Sequence, residues 1–380
     1  MWLDHAPAGM EVVDSIYYST NFYADRAVEI VNNHHVSSSS HGAHSTGPPP
    51  PPPPLYLHMT WQAVHSPYSN PPKWEWANAN PPLFWSGTYG NMLYVLNSGL
   101  SNITAAFKAN GLWENTLLVL VSDNGAGPIG GSGHGGPCHG GNAGPCGGNN
   151  YGLRGRKGDD WEGGTRTHGL VSGGVIPARL RGTSSDALIH ISDWYATLSL
   201  LAGVDPSDNA LLPPVAKHGH PFRRDIDGVD VWPRLMGTNA TNPRPFVPTT
   251  AGALIWDAGN GTMFKYYRTP GATWWFTPNN TYIPAPAPAC NLTGGCLYEV
   301  MADPEERTNI AAQHPGLVAA LGAKLANYSA YITGWLTSMD KPYNCSKAIA
   351  QGWAPFNGPC CVPTANASSS PRPAGRGQLA

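Results

Sequence analysis

Charged residues are scarce in this sequence: only 12% of its 380 residues are Asp, Glu, Lys or Arg, and the formal net charge is -2. Without a basic face, electrostatic binding of nucleic acid or of an anionic membrane surface is not expected. Long apolar runs are missing as well, so no membrane-spanning helix is predicted. Because 41% of the residues are hydrophobic, the chain is not a disordered segment of low complexity. It is long enough for one large α/β domain, alone or with a smaller companion.

Cysteine patterns that bind zinc are also missing. The seven cysteines stand mostly beside Gly, Pro and Asn and form no C-x-x-C pair, so we interpret them as disulfide-forming. The predicted pairs are Cys138 with Cys146 and Cys290 with Cys296. Histidines share the glycine-rich segment around Cys138, but their spacing fits no closed zinc pattern, and a disulfide is the preferred interpretation there.

A leader sequence is lacking too. The segment that begins at Met1 has no basic region followed by an apolar run, so it predicts no signal peptide. Acceptor sites of the form Asn-x-Ser/Thr are nevertheless dense, as expected of a secreted glycoprotein. They stand at Asn102, Asn239, Asn260, Asn279, Asn291, Asn327, Asn344 and Asn366. With the odd number of cysteines, this indicates a longer protein in an extracellular or lysosome-like compartment, with a segment before Met1.

Helix and strand patterns alternate up to Gly203, whereas the rest is rich in Pro and Asn and carries one late amphipathic helix at 315–335. This predicts an α/β catalytic domain over residues 1–240 and a smaller carboxyl-terminal subdomain over 241–367. A disordered tail follows at 368–380. Within the first domain, we expect a proline-rich insertion at 36–54 and a glycine-rich loop at 125–150.

The strongest strand pattern is the apolar run at 116–121, which is typical of a parallel strand covered on both faces. Asp123 and Asn124 follow it directly, where α/β sheets place their ligand sites. Their side-chain oxygens suit Ca²⁺ or Mg²⁺, but Ca²⁺ takes about six to eight oxygens, so further carboxylates must converge. Asp159 and Asp160 are the candidates nearest in sequence. The alternative is that Asp-Asn-Gly forms an ordinary turn.

Two further segments carry groups that could bind an anion. His65 lies in a loop after a predicted strand, where it could donate a proton to a leaving group. Residues 153–157 read Leu-Arg-Gly-Arg-Lys, and cations beside glycine can hold a sulfate or a phosphate. Taken singly, each segment has an ordinary alternative: a loop histidine without a chemical role, and a solvated surface charge.

Motifs of one enzyme family follow each other in order along the chain. They are YSTNF at 18–22, LYL at 55–57, QAVHSP at 62–67, GLWENT at 111–116, SDNG at 122–125, LRGRK at 153–157, WEGG at 161–164, HISDW at 190–194, DGVDVW at 227–232 and DPEER at 303–307. In this order they resemble the type I sulfatase family, most nearly its arylsulfatase B branch.

The resemblance implies an alkaline-phosphatase-like α/β fold and hydrolysis of a sulfate ester, either an aryl sulfate or a sulfated sugar. In this family a cysteine oxidised to formylglycine attacks sulfur while a calcium ion polarises the sulfate oxygens. By their place in the motifs, Asp123 and Asn124 match two metal ligands. His65 and Lys157 match the residues that hold the sulfate and assist the departing oxygen.

The family's Cys-x-Pro/Ser-x-Arg signature has no counterpart here, since Cys361-Val-Pro-Thr-Ala lacks the arginine and follows the whole domain. Two further metal aspartates and an Arg/Lys/His group have no counterpart either. We therefore expect a carboxyl-terminal fragment of an arylsulfatase-type hydrolase, inactive alone and with an incomplete Ca²⁺ site. Two alternatives stay open: a non-enzymatic glycoprotein that retains part of the fold, and a phosphodiesterase of the same superfamily.

Overall fold

The computed structural model describes residues 2–3, 6–7, 18–39, 53–65, 68–72, 88–127, 148–207, 226–268, 273–278, 282–285 and 294–339. The chain divides into two compact units, Met1–Leu325 and Ala326–Ala380. The predicted tail at 368–380 lies outside the described residues, as do most of the proline-rich insertion and most of the glycine-rich loop. The predicted domain boundary at residue 240 stays a prediction.

Helices and strands both occur throughout the described residues. The α-helices are α1 (Ser19–Ser39), α2 (Thr88–Ala109), α3 (Glu162–Thr165), α4 (Asp193–Leu201), α5 (Trp232–Leu235) and α6 (Pro315–Met339). Short 3-10 turns lie at Trp113–Asn115, Ala178–Leu180 and Ala311–Gln313. The strands are β1 (Trp2–Leu3), β2 (Ala6–Pro7), β3 (Leu118–Val121), β4 (Gly169–Ser172), β5 (Phe246–Pro248), β6 (Ala253–Gly259), β7 (Thr262–Tyr267), β8 (Thr273–Phe276), β9 (Tyr282–Ala285) and β10 (Cys296–Glu299).

Helices α1 and α2 pack against each other through small and branched side chains, among them Ala24 and Ile103. Gly99 of α2 permits the close contact, because a Cβ there would lie 2.9 Å from the Cβ of Ala24. The apolar stripe of α2 runs from Met92 and Val95 to Ile103 and Ala106, all of which are buried.

Strand β3 differs from its prediction. It pairs with β4 and runs antiparallel to it, with Leu118 opposite Ser172. All four residues of β3 are half-buried or exposed, and Leu170 of β4 is 50% exposed. Within the described part of the chain, the prediction of a parallel strand covered on both faces is therefore wrong. A continuous apolar run indicates apolar neighbours, but it carries no information about strand direction.

A four-stranded antiparallel sheet forms the best-buried part of the first unit, in the strand order β10-β7-β6-β5. Successive side chains point to opposite faces. One face packs around Trp161, Tyr267 and Tyr298, while the other carries Leu254 and Tyr266 against helix α6. The part after Gly203, for which the sequence predicted one late helix, therefore also contains strands β5 to β9.

The hairpin between β6 and β7 is marked in the sequence by an Asn-Gly pair at its turn. Asn260 and Gly261 form its two-residue turn, with φ of 55° and 76°. Positive φ at both positions is the backbone of a type I′ turn, for which Asn-Gly is the preferred pair. The apolar and aromatic runs on either side of Asn-Gly would have predicted this hairpin.

Cys296, the first residue of β10, takes part in a disulfide. Its predicted partner Cys290 lies outside the described residues, and so do Cys138 and Cys146, so both pairings stay predictions. The bonded state of Cys296 agrees with the interpretation of the cysteines as disulfide-forming.

Four charged side chains are buried beside the sheet, and we call them the buried charge cluster. They are Arg154, Glu162, Lys265 and Glu306, none more than 2% exposed. The Lys265 ammonium donates to Glu162 Oε1 over 2.7 Å and to Thr165 Oγ1 over 2.9 Å. Because Lys265 belongs to β7 and Glu162 to α3, this ion pair joins the sheet to the segment that follows residue 150.

Replacing Lys265 with methionine should strongly destabilise the protein, because it leaves the Glu162 carboxylate buried without its main cation. Removing one partner of a buried pair costs about 3–5 kcal/mol. Lys324→Met is the matched control, since Lys324 is exposed and only covers the Phe246 ring at 3.8 Å; we expect it to cost about 1 kcal/mol or less. Urea unfolding measures both losses, and equal losses would contradict the assigned role of Lys265.

Candidate functional site

The Lys157 ammonium lies 3.3 Å from Nε2 of His65, although 92 residues separate the two in sequence. His65 sits on an exposed turn, where its backbone N–H donates to the carbonyl of Gln62 over 2.8 Å. Lys157 is half-buried. The two candidate residues His65 and Lys157 are therefore in contact, with the imidazole nitrogen next to the ammonium.

Lys157 is carried by a closed loop, residues 154–163, which we call the Lys157 loop. Its two ends meet where the N–H of Gly163 donates to the carbonyl of Arg154 over 2.7 Å. A Cβ on Gly163 would lie 2.3 Å from the carbonyl oxygen of Gly155, so only glycine allows this closure. Inside the loop, Asp159 Oδ2 accepts from the N–H of Arg156 over 3.1 Å.

Asp123 and Asn124 form a turn directly after β3. The N–H of Asn124 donates to Asp123 Oδ1 over 2.8 Å, and the Asn124 amide group donates to the carbonyl of Gly125 over 2.9 Å. Two residues on, the carbonyl of Ala126 accepts from the N–H of Lys157 over 2.9 Å. The Asp123 turn and the Lys157 loop are therefore neighbours, connected through their backbones.

Asn150 is a site residue that the sequence analysis missed. Its Oδ1 accepts from the N–H of Ala126 over 2.9 Å, and its Nδ2 donates to the carbonyls of Ala126 and Gly155 over 3.2 Å each. One side chain thus ties the segment after Asn124 to the Lys157 loop. No motif marked it, because an asparagine beside a glycine-rich stretch is ordinary in loops.

A calcium site is not assembled by these residues. Asp159 Oδ2 accepts hydrogen bonds from Thr273 Oγ1 over 3.0 Å and from the N–H of Arg156. This oxygen therefore stabilises the Lys157 loop. Over the described ranges, no group of three or more His, Cys, Asp or Glu side chains is arranged to hold a metal ion. Asp123 and Asn124 supply two oxygens where Ca²⁺ takes about six to eight. The described residues therefore do not fit Ca²⁺ as a complete site.

Behind the Lys157 loop lies Glu306, fully buried in the DPEER segment. Its Oε2 accepts from the N–H of Glu162 over 2.8 Å, and its Oε1 accepts from the hydroxyl of Tyr267. Burial raises the pKa of the Glu306 carboxyl from 4.5 to about 7; the nearby Lys265 ammonium lowers it and the Glu162 carboxylate raises it. The same burial, with Glu306 beside it, raises the pKa of Tyr267 well above its ordinary value.

The sequence pattern of the sulfatase family matches residues 12–204, just over half of the chain, and the chain belongs to this family. It is 26% identical to mouse arylsulfatase J over 83% of this chain and 49% of that protein. It is 27% identical to human arylsulfatase A over 76% of this chain and 50% of that protein. The chain thus spans about half the length of the curated relatives it matches.

Solved structures show the same fold. The protein called Ps i-CgsB matches 82% of this chain and 55% of its own with a TM-score of 0.53 and 19% identity. The PsFucS1 sulfatase from Pseudoalteromonas sp. matches 84% of this chain and 52% of its own with a TM-score of 0.51 and 19% identity. The predicted α/β fold of the alkaline-phosphatase-like kind is confirmed.

Stability should fall as pH rises, because the folded state holds a proton on Glu306 that the unfolded state releases earlier. Between about 4.5 and about 7 the native carboxyl binds more protons than the unfolded one. At about 1.4 kcal/mol per pKa unit the loss amounts to about 3 to 4 kcal/mol at most. Urea unfolding across this window should show the decline in the wild type and a shallower slope in Glu306→Gln. Equal slopes would exclude Glu306 as the source.

Proposed function

We propose that this chain supplies His65 and Lys157 as the sulfate-binding side chains of a sulfuric ester hydrolase of arylsulfatase type. The observation that carries the proposal is the 3.3 Å approach of Lys157 Nζ to His65 Nε2 in a member of the sulfatase family. The segments that bring the two together are QAVHSP and LRGRK, whose order along the chain matches the family.

The chemistry of the pair suits a sulfate ester. An ammonium and an imidazole can donate charge-assisted hydrogen bonds to the sulfate oxygens. When the bond between sulfur and the ester oxygen breaks, that oxygen gains negative charge and needs a proton. A protonated His65 can supply this proton, while Lys157 stabilises the developing charge from beside it. The ester oxygen then leaves as a phenol or an alcohol.

The nucleophile and the metal are not assigned to residues of this chain. No Cys-x-Pro/Ser-x-Arg sequence occurs in it, so attack on sulfur is assigned to a formylglycine outside these 380 residues. Calcium, which would polarise the sulfate oxygens when bound, is proposed only for a site in which further oxygens join Asp123 and Asn124. The role of His65 and Lys157 does not depend on which residues complete that site.

The proposed substrate is an aryl sulfate or a sulfated sugar. Among proteins of this fold, Ps i-CgsB has been solved in complex with k-i-k-neocarrahexaose, with a TM-score of 0.51 to this chain. An alternative function is a glycoprotein that binds a sulfated ligand without hydrolysing it, which the missing cysteine signature favours.

We propose a secretory location, extracellular or lysosome-like. The four Asn-x-Ser/Thr asparagines within the described residues are all exposed, namely Asn102, Asn239, Asn260 and Asn327. The disulfide at Cys296 also supports an oxidising compartment. None of the helices that the structure describes could cross a membrane.

Sulfate binding tests the proposed pair of His65 and Lys157. Inorganic sulfate should bind the wild type, and Lys157→Met and His65→Ala should each weaken it about tenfold or more, since a hydrogen bond to a charged group is worth about 1.5–3 kcal/mol. Lys108→Met is the matched control, because Lys108 is exposed and lies over the Trp113 ring instead. Calorimetric titration measures the three variants. Unchanged affinity in Lys157→Met would overturn the proposed function.

Turnover by the 380-residue chain alone should stay at background with nitrocatechol sulfate, because no cysteine of the sequence stands in the required signature. A longer polypeptide that adds the Cys-x-Pro-Ser-Arg segment should hydrolyse it, and Lys157→Met in that polypeptide should lower kcat. Sulfate binding without turnover in the longer polypeptide would favour the non-enzymatic glycoprotein. Robust turnover by the chain alone would require another nucleophile.

A further inference from the structure

The Lys157 loop reaches the sheet through its two ends. At the first end, the Arg154 guanidinium donates to the backbone carbonyl of Glu306 over 3.0 Å. At the second end, the N–H of Glu162 donates to the Glu306 carboxylate over 2.8 Å. The same residue thus holds both ends of the loop, with its backbone and its side chain respectively.

Glu306 is fixed in turn from the side of the sheet. Tyr267 of β7 donates its hydroxyl to Glu306 Oε1, and the Lys265 ammonium lies 3.9 Å from the same oxygen. Its backbone has a φ of 53°, an uncommon conformation for a residue with a side chain. These contacts leave the carboxylate one orientation, in which it points at the second end of the loop.

The aromatic contacts of Arg154 strengthen the first end. Its guanidinium stacks 3.7 Å from the ring of Trp161, a residue of the same loop, and lies 4.9 Å from the ring of Trp275. The loop between these ends spans few residues, so a shift of either end displaces Lys157 directly.

The neighbours of Glu306 in its own motif behave differently. The side chains of Glu305 and Arg307 pair with each other at the surface. Neither side chain has a described contact with the Lys157 loop, although the Glu305 carbonyl accepts from Trp275 Nε1 over 2.7 Å. Glu305 is therefore a natural control for Glu306.

We propose that Glu306 is the positioning residue of the Lys157 loop: by holding Arg154 and Glu162 together, it keeps the Lys157 ammonium beside His65. The inference rests on the proposed function only for its consequence in sulfate binding. The other part of the proposal, which we call the mechanical part, is that Glu306 restrains the loop. It depends only on the contacts of Glu306 with Arg154 and Glu162.

Amide hydrogen exchange in the full chain tests the mechanical part. The reporter is the N–H of Lys157, which donates to the carbonyl of Ala126, and the reference is the N–H of Val318 in α6, which donates to the carbonyl of His314. Glu306→Ala should speed exchange at Lys157 by about tenfold, the equivalent of one lost buried hydrogen bond. Exchange at Val318 should change far less, and Glu305→Ala should change neither.

Two milder variants keep the test decisive if Glu306→Ala does not fold. Glu306→Gln retains one acceptor oxygen, so it should restore part of the protection at Lys157. Tyr267→Phe removes only the hydroxyl that orients the carboxylate, and it should loosen the loop by a few-fold. Unchanged exchange at Lys157, or an equal increase at Lys157 and Val318, would overturn the proposal, because a positioning residue must act locally.

Sulfate titration separates this inference from the proposed function. If both hold, Glu306→Ala weakens sulfate binding, and adding Lys157→Met to it causes little further loss, as expected of coupled residues. If the wild type binds no sulfate but exchange at Lys157 still responds to Glu306→Ala, the proposed function fails and the positioning role stands. If sulfate binding depends on Lys157 and exchange does not respond, the positioning role fails alone.

Discussion

A lysine ammonium with no exposure to water, held 2.7 Å from a buried carboxylate, constrains the whole arrangement around the site. Such a pair is a weak source of net stability, since desolvation offsets much of its Coulomb energy. Its effect is on specificity. Side chains along β7 point alternately to the two faces of the sheet. If β7 shifted its pairing with β6 by one residue, the Lys265 side chain would point into the apolar face that packs against α6. The pairing of Lys265 with Glu162 therefore selects one register for β7.

This constraint reaches the surface through short steps. Glu162 lies at the second end of the Lys157 loop and donates its N–H to Glu306, so the register of β7 also sets the base of that loop. Asn150 joins Gly155 of the loop to the segment after Asn124. The surface pair of Lys157 and His65 thus rests on a buried frame of charges. Long exposed side chains alone would not hold a fixed geometry, because ordering them costs conformational entropy.

The sequence predicted some of this and missed the rest for physical reasons. Helical periodicity located α6, since this helix buries one stripe of apolar residues. The meeting of His65 and Lys157 followed from the order of family motifs, because spacing along the chain cannot predict a contact across 92 residues. The direction of β3 was misjudged, as an apolar run indicates burial only. The pairing of Lys265 with Glu162 carried no sequence signal at all, since an isolated lysine in a strand is usually exposed.

The charge balance of the buried cluster explains why Glu306 titrates near neutrality. With Glu306 ionised, the carboxylates of Glu162 and Glu306 balance the cations of Arg154 and Lys265. With Glu306 protonated, the cluster carries one excess positive charge, but the desolvation cost of a second buried carboxylate is avoided. Desolvation favours the protonated form and Lys265 favours the ionised one, and their opposition brings the pKa to about 7. Since the protonated form dominates in acid, the contribution of Glu306 to stability is present at low pH and is lost as pH rises through about 7.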